Sequence, residues 1–132
     1  VFIDRGRIAT DLDAVSWAKQ IEAAGAGEIF LTSIDNDGSR RGYDLELMKS
    51  VSDAVDIPVI AFGGVWIWDH LVEGIKIGNV DAVAVGNVFH FIEHSTKLAK
   101  EYLIEKDLDF RESAFFNIET DRKPQYKEVL WG

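Results

Sequence analysis

The chain has no cysteine, and its 132 residues include only 2 prolines, 3 histidines and 1 methionine. Without cysteine there is no disulfide and no thiolate metal site, so redox chemistry leaves the compartment open. His70, His90 and His94 offer no pair at zinc spacing with a third ligand to complete a site. His90 lies between two phenylalanines, which suits a structural role. No metal and no cofactor is therefore expected. Long apolar runs are also missing. The longest, Ile57 to Trp68, is interrupted by Pro58, Gly63 and Gly64, and it falls short of the roughly 20 residues a membrane span needs. The opening Val1 to Arg7 is charged and does not read as a secretory signal, so a cytoplasmic enzyme is the plain expectation. Positive charge is scarce. With 14 Lys and Arg against 23 Asp and Glu, the net charge is -9, which argues against a nucleic-acid partner. An anionic ligand would need focused backbone N–H groups or local basic residues.

What is present is a globular composition, 47% hydrophobic and 28% charged, which supports a packed core rather than disorder. Three runs read as strands covered on both faces: Glu28 to Ile34, Ile57 to Phe62 and Val80 to Val85. Helical spacing lies between and around them. Ala14, Trp17, Ala18 and Ile21 form one set, with Thr10 or Asp11 as N-cap and Gly25 as the stop. Leu47, Met48, Val51 and Val55 form the next, capped by Asp44. Trp68, Leu71, Val72 and Ile75 form the third, stopped by Gly78. Leu98, Tyr102 and Leu103 form the fourth, starting near Ser95 or Thr96. Val1 to Ile8 reads as a strand pair turning at Arg5-Gly6. Repeated βα units predict a parallel α/β sheet. The expectation is one domain, with a core over residues 1–106 and an irregular aromatic tail over 107–132.

In a parallel α/β sheet, chemistry gathers at the C-terminal ends of the strands. There the chain places Thr32 to Gly38, then Gly63-Gly64, then Gly86-Asn87. Glycine turns feeding helices let the backbone approach a phosphate. The same residues also suit ordinary βα turns. Asp35 and Asp37 read either as a carboxylate pair for acid–base work or a metal, or as a polar capping loop. Trp66-Ile67-Trp68 reads as a binding patch or as packing.

Gly25-Ala26-Gly27-Glu28-Ile29-Phe30-Leu31-Thr32-Ser33-Ile34-Asp35-Asn36-Asp37-Gly38, followed by Gly42-Tyr43-Asp44, resembles the sixth-strand signature of the cyclase subunit of imidazole glycerol phosphate synthase. Ile57-Pro58-Val59-Ile60-Ala61, Gly63-Gly64, Asp69-His70, Asp81-Ala82 and Val88-Phe89-His90-Phe91 continue the likeness over roughly residues 1–103. The resemblance implies the C-terminal half of a (β/α)₈ TIM barrel. It also implies an enzyme that takes ammonia from a glutaminase subunit and closes an imidazole ring on a phosphorylated substrate in histidine biosynthesis. By position, Thr32, Asp37 and Gly38 would hold substrate, and Gly63 and Gly64 would bind one phosphate. Gly86 and Asn87 would bind phosphate at the next strand, and Glu28 would sit on the charged ring that gates ammonia.

The family's catalytic aspartates lie on its first and fifth strands. In the ungapped register, Val1 to Thr10 matches the hairpin after the fifth strand. Asp4 would be the catalytic acid only if that hairpin were deleted. Phe62, Val65-Trp66-Ile67 and Asn87 depart from the family pattern beside the phosphate turns. Such departures suit a related subunit that amidates a sugar in surface-polysaccharide biosynthesis, or a non-catalytic phosphate-binding half. Ile29, Leu31, Val59, Ala61, Val83 and Val85 are candidates for the barrel interior. Three strands cannot close a barrel, so the chain is expected to belong to a longer polypeptide, to pair with an N-terminal half-barrel or to self-associate.

Overall fold

The computed structural model describes residues 1–90 and 95–111. The chain opens with the expected hairpin. Strands β1 (Phe2–Ile3) and β2 (Ile8–Ala9) pair antiparallel, Phe2 opposite Ala9 and Ile3 opposite Ile8. Asp4, Arg5 and Gly6 turn the chain at φ 49°, 58° and 79°. Helix α1 (Ala14–Ala23) is capped by Asp13, whose carboxylate accepts the Ser16 N–H at 2.9 Å. That corrects the expectation of Thr10 or Asp11. The helix starts at Ala14, and a cap must immediately precede the first helical residue. Thr10 instead closes the hairpin, its hydroxyl donating to the Val1 carbonyl at 2.6 Å. Gly25, at φ 95°, ends the helix region as expected.

Strands β3 (Ile29–Thr32), β4 (Val59–Phe62) and β5 (Ala82–Val83) form a parallel sheet in the order β3-β4-β5. Helix α2 (Leu45–Ser52) joins β3 to β4, and α3 (Trp68–Lys76) joins β4 to β5. A 3₁₀ turn (Asn87–His90) and α4 (Ser95–Glu105) follow. Asp44 caps α2 as expected, accepting the Leu47 N–H at 3.1 Å, and α2 ends before Val55. β5 is shorter than the Val80 to Val85 run, and Asp81 just before it is tied to β4 twice, its N–H donating to the Val59 carbonyl at 3.1 Å. Its carboxylate accepts the Val59 N–H at 2.9 Å and so anchors the start of β4.

The assignment of faces needs correction. Ile29, Val59 and Ala61 are buried, and Leu31, Val83 and Val85 pack against the same cluster as Met48, Val51 and Leu71 of the helices. These six candidates for the barrel interior therefore lie under the helices. The opposite face carries Phe30, Ile60 and Phe62, with Phe30 57% exposed. The Phe30 and Phe62 rings meet at 5.4 Å. Strand runs apolar at every position carry no period-two signal, so their sequence cannot say which face is which.

Among the described residues, β3 pairs with β4 alone and its other edge is open. The Ile29 N–H donates to Pro58 at 2.8 Å and the Ser33 N–H to Phe62 at 3.4 Å. By strand alternation, the backbone groups of Phe30 and Thr32 face away from β4. Beside that edge lies a cavity of about 460 Å³, walled by Trp17, Ala18 and Ile21 of α1 and by Leu47 and Val51 of α2. Among the described residues, no helix is long and apolar enough to cross a membrane. Phe91, His94 and the tail residues beyond Arg111 lie outside the described residues.

Candidate functional site

The C-terminal ends of the three strands converge on a pocket of about 160 Å³. It gathers Asp37, Gly38, Gly63, Gly64, Gly86 and Asn87, six of the residues that the sequence singles out. Thr32 is not among them. It lies at the end of β3 on the larger cavity beside the open edge. Asp35 also lines that cavity, whereas Asp37 lines the pocket. The two carboxylates therefore serve different spaces. Among the described residues, no group of three or more acidic or histidine side chains is arranged to hold a metal.

The pocket walls are fixed by main-chain contacts between loops. The Gly42 N–H donates to the Gly64 carbonyl at 2.8 Å. The Asn36 side-chain amide donates to the Gly42 carbonyl at 3.1 Å. Gly63 and Gly64 have φ 103° and 91°. A Cβ on Gly64 would stand 2.2 Å from the Gly42 carbonyl oxygen, and one on Gly63 would stand 3.1 Å from the Ser33 carbonyl oxygen. The fold alone therefore demands both glycines. Gly86 differs: it has no positive φ, and a Cβ there would meet nothing within 4 Å. Among the described residues, neither conformation nor crowding calls for glycine at this position, and it lies on the pocket wall.

Tyr43 holds the arrangement from below. Its hydroxyl donates to the Ala84 carbonyl at 3.0 Å, tying the loop after β3 to the end of β5. Burial raises its phenol pKa far above the ordinary value. Gly74 of α3 makes room for the ring, since a Cβ there would lie 2.9 Å from it. On the next turn outward, the Tyr102 hydroxyl of α4 donates to Asp69 in the first turn of α3. Burial and that carboxylate push the Tyr102 phenol up to about 12.

The loop after Gly64 is clipped by His70. Its Nδ1 accepts the Trp66 N–H at 3.2 Å, which requires the neutral ring. Burial lowers the His70 pKa, against an opposing pull from the Glu73 and Asp69 carboxylates. The unfolded chain, with an ordinary histidine pKa of about 6.5, therefore takes up this proton before the folded chain does. The clip contributes fully above that pH and is lost as pH falls through the lower folded value. The melting temperature is expected to fall more steeply below pH 6.5 in the wild type than in His70→Gln, and an NMR titration should place His70 below 6.5. A His70 that titrates at or above 6.5 would remove this account.

Arg40 and Trp66 also line the pocket, and the Arg40 Cζ lies 3.8 Å from the Trp66 ring centroid. Sequence reasoning passed over Arg40. Its only signal was two adjacent arginines, Arg40 and Arg41, beside a strand end in an acidic chain. Trp68, by contrast, is buried and packs against Phe89 at 5.9 Å, so the tryptophan cluster divides between pocket and core.

The family model for the histidine biosynthesis protein matches residues 1–95. The chain belongs to that family. Members of the histidine biosynthesis family are TIM-barrel enzymes, and β3 to β5 with their helices form part of such a barrel. Glu28 immediately precedes β3, at the end of the sheet opposite the pocket, and is exposed. Asp4 lies in the hairpin turn, exposed and outside the parallel sheet.

Proposed function

We propose that the chain acts as the phosphate-gripping C-terminal half of a cyclase-type barrel in this family. Ammonia from a glutaminase subunit closes an imidazole ring on a phosphorylated substrate, as the sixth-strand signature implies. The observation that carries the phosphate reading is Gly86. It is a glycine that the fold does not require, on the wall of a pocket shared by three strand ends. A side chain there would take space that a ligand uses. Glu28, at the opposite end of the sheet, suits the ammonia entrance. The catalytic acid is assigned to βα units that pair with the open edge of β3 and fill the cavity beside it, either in the same polypeptide or in a second chain.

Phe62 and Trp66 favour a second reading, because both line the pocket and both are bulky departures from the family pattern. Under that reading, the ammonia would go to a sugar in surface-polysaccharide biosynthesis. One experiment separates the two. The chain is combined with an N-terminal half-barrel of the cyclase type and ammonium, and offered in parallel the phosphoribosyl substrate of the cyclase and a sugar phosphate. Imidazole product is the expected result. Amidation of a sugar phosphate without imidazole would move the assignment to the second reading. Phosphate binding without either reaction would leave a non-catalytic half.

A further inference from the structure

We infer that Arg40, laid against Trp66, is a phosphate-binding and specificity-determining side chain of the pocket, selecting a phosphomonoester over a neutral sugar. The inference rests on the reading of the pocket as a phosphate site and adds to it a side-chain cation.

Three observations support it. First, the chain carries a net charge of -9, so an anion approaching the pocket needs local positive charge to offset the general repulsion. Arg40 is the basic residue on the pocket wall, and the wall also carries Asp37. Second, among the described residues Arg40 is in no ion pair, so no described carboxylate neutralises its charge. Third, the guanidinium is held in place. At 3.8 Å from the ring centroid, the guanidinium carbon lies over the indole, well within cation–π range. Its five N–H donors lie in the guanidinium plane and remain available at the edge. A planar fork matches two phosphate oxygens, and one already resting on a ring needs less ordering when the anion arrives.

The topology explains why this pair is assembled here. Arg40 lies in the loop after β3, at φ 65°, and Trp66 lies in the loop after β4. The Gly42-to-Gly64 main-chain bond brings these loops together. The His70 clip on the Trp66 N–H then fixes the backbone that carries the indole. Trp66, which departs from the family pattern as a bulky residue beside a phosphate turn, thus acts as the plane on which the cation rests.

The test is a calorimetric titration of the chain with inorganic phosphate, with ribose 5-phosphate and with ribose. Wild type is compared with Arg40→Ala, Arg40→Lys, Trp66→Leu and Gly86→Val. Arg40 is exposed, so its variants should keep the wild-type melting temperature. Arg40→Ala is expected to weaken both phosphate ligands by about tenfold to a hundredfold, the usual scale for a charge-assisted contact. Arg40→Lys should restore only part of this, because a point charge lacks the planar fork. Trp66→Leu should weaken binding in the same direction but less, and ribose should bind to none of the variants. Wild-type affinity in Arg40→Ala, with binding lost in Gly86→Val, would overturn the role of Arg40 and leave the pocket reading standing. Unchanged affinity in both variants would overturn the pocket reading as well.

Discussion

Gly64→Ala is expected to lower the urea midpoint of unfolding more than any other single-atom addition to the pocket. The loops after β3 and β4 share a main-chain bond, with the Gly42 N–H donating to Gly64 at 2.8 Å. The new Cβ would lie 2.2 Å from the Gly42 carbonyl oxygen and 2.9 Å from the Asn36 carbonyl oxygen. These are backbone atoms, and the Gly42 carbonyl already accepts the Asn36 side chain, so a rotamer change cannot relieve the contact. Left-handed backbone at a non-glycine residue costs about 1–3 kcal/mol, and overpacking costs about 1–3 kcal/mol more. Against a typical domain stability of about 5–15 kcal/mol, the combined loss is a large share. Gly38→Ala provides the control. Its φ is 74°, but a Cβ there meets nothing within 4 Å, so it should show the strain without the collision. If Gly64→Ala proved no more destabilising than Gly38→Ala in urea titrations, the close approach of the two loops would be wrong.

The second large effect is on binding. Gly86→Val should weaken inorganic phosphate by about tenfold to a hundredfold, the scale of losing a contact to a charged group. The variant should still melt at the wild-type temperature, because Gly86 is exposed and a Cβ there meets nothing within 4 Å. This separation of binding from stability makes Gly86 a cleaner probe than Gly64, where valine would damage the fold before it could report on a ligand. Unchanged affinity in a folded Gly86→Val chain would mean that this wall does not meet the phosphate.

Much of this layout is legible in the residues themselves. The βα order, the Asp44 cap and the glycine turns follow from patterns that act over a few residues, where local sterics and hydrogen bonds decide the outcome. The grouping of Asp37, Gly38, Gly63, Gly64, Gly86 and Asn87 follows from a rule of parallel sheets, since strand ends on one side must meet. The parts that could not be read depend on long-range choices. Ile29, Val59 and Ala61 turned out to face the helices because uniformly apolar strands do not mark their faces. Asp13 takes the place of Thr10 or Asp11 as cap because the helix starts only at Ala14 and the hairpin uses Thr10. Arg40 was missed because its partner Trp66 reaches it only through the contact between two loops. The bulk of Phe62 and Trp66, by contrast, was visible as a departure from the family pattern. The structure places both on the pocket wall.

The central claim is that the three strand ends form one phosphate site. It is tested most directly by a two-dimensional amide NMR titration of the chain with inorganic phosphate. The account predicts saturable shifts concentrated on the amides of Gly38, Gly63, Gly64, Gly86 and Asn87, together with the Arg40 side chain, and little change at Glu28 or in the β1–β2 hairpin. Shifts scattered over the surface without saturation, or centred on the cavity beside β3 while the Gly86 and Asn87 amides stay still, would contradict it.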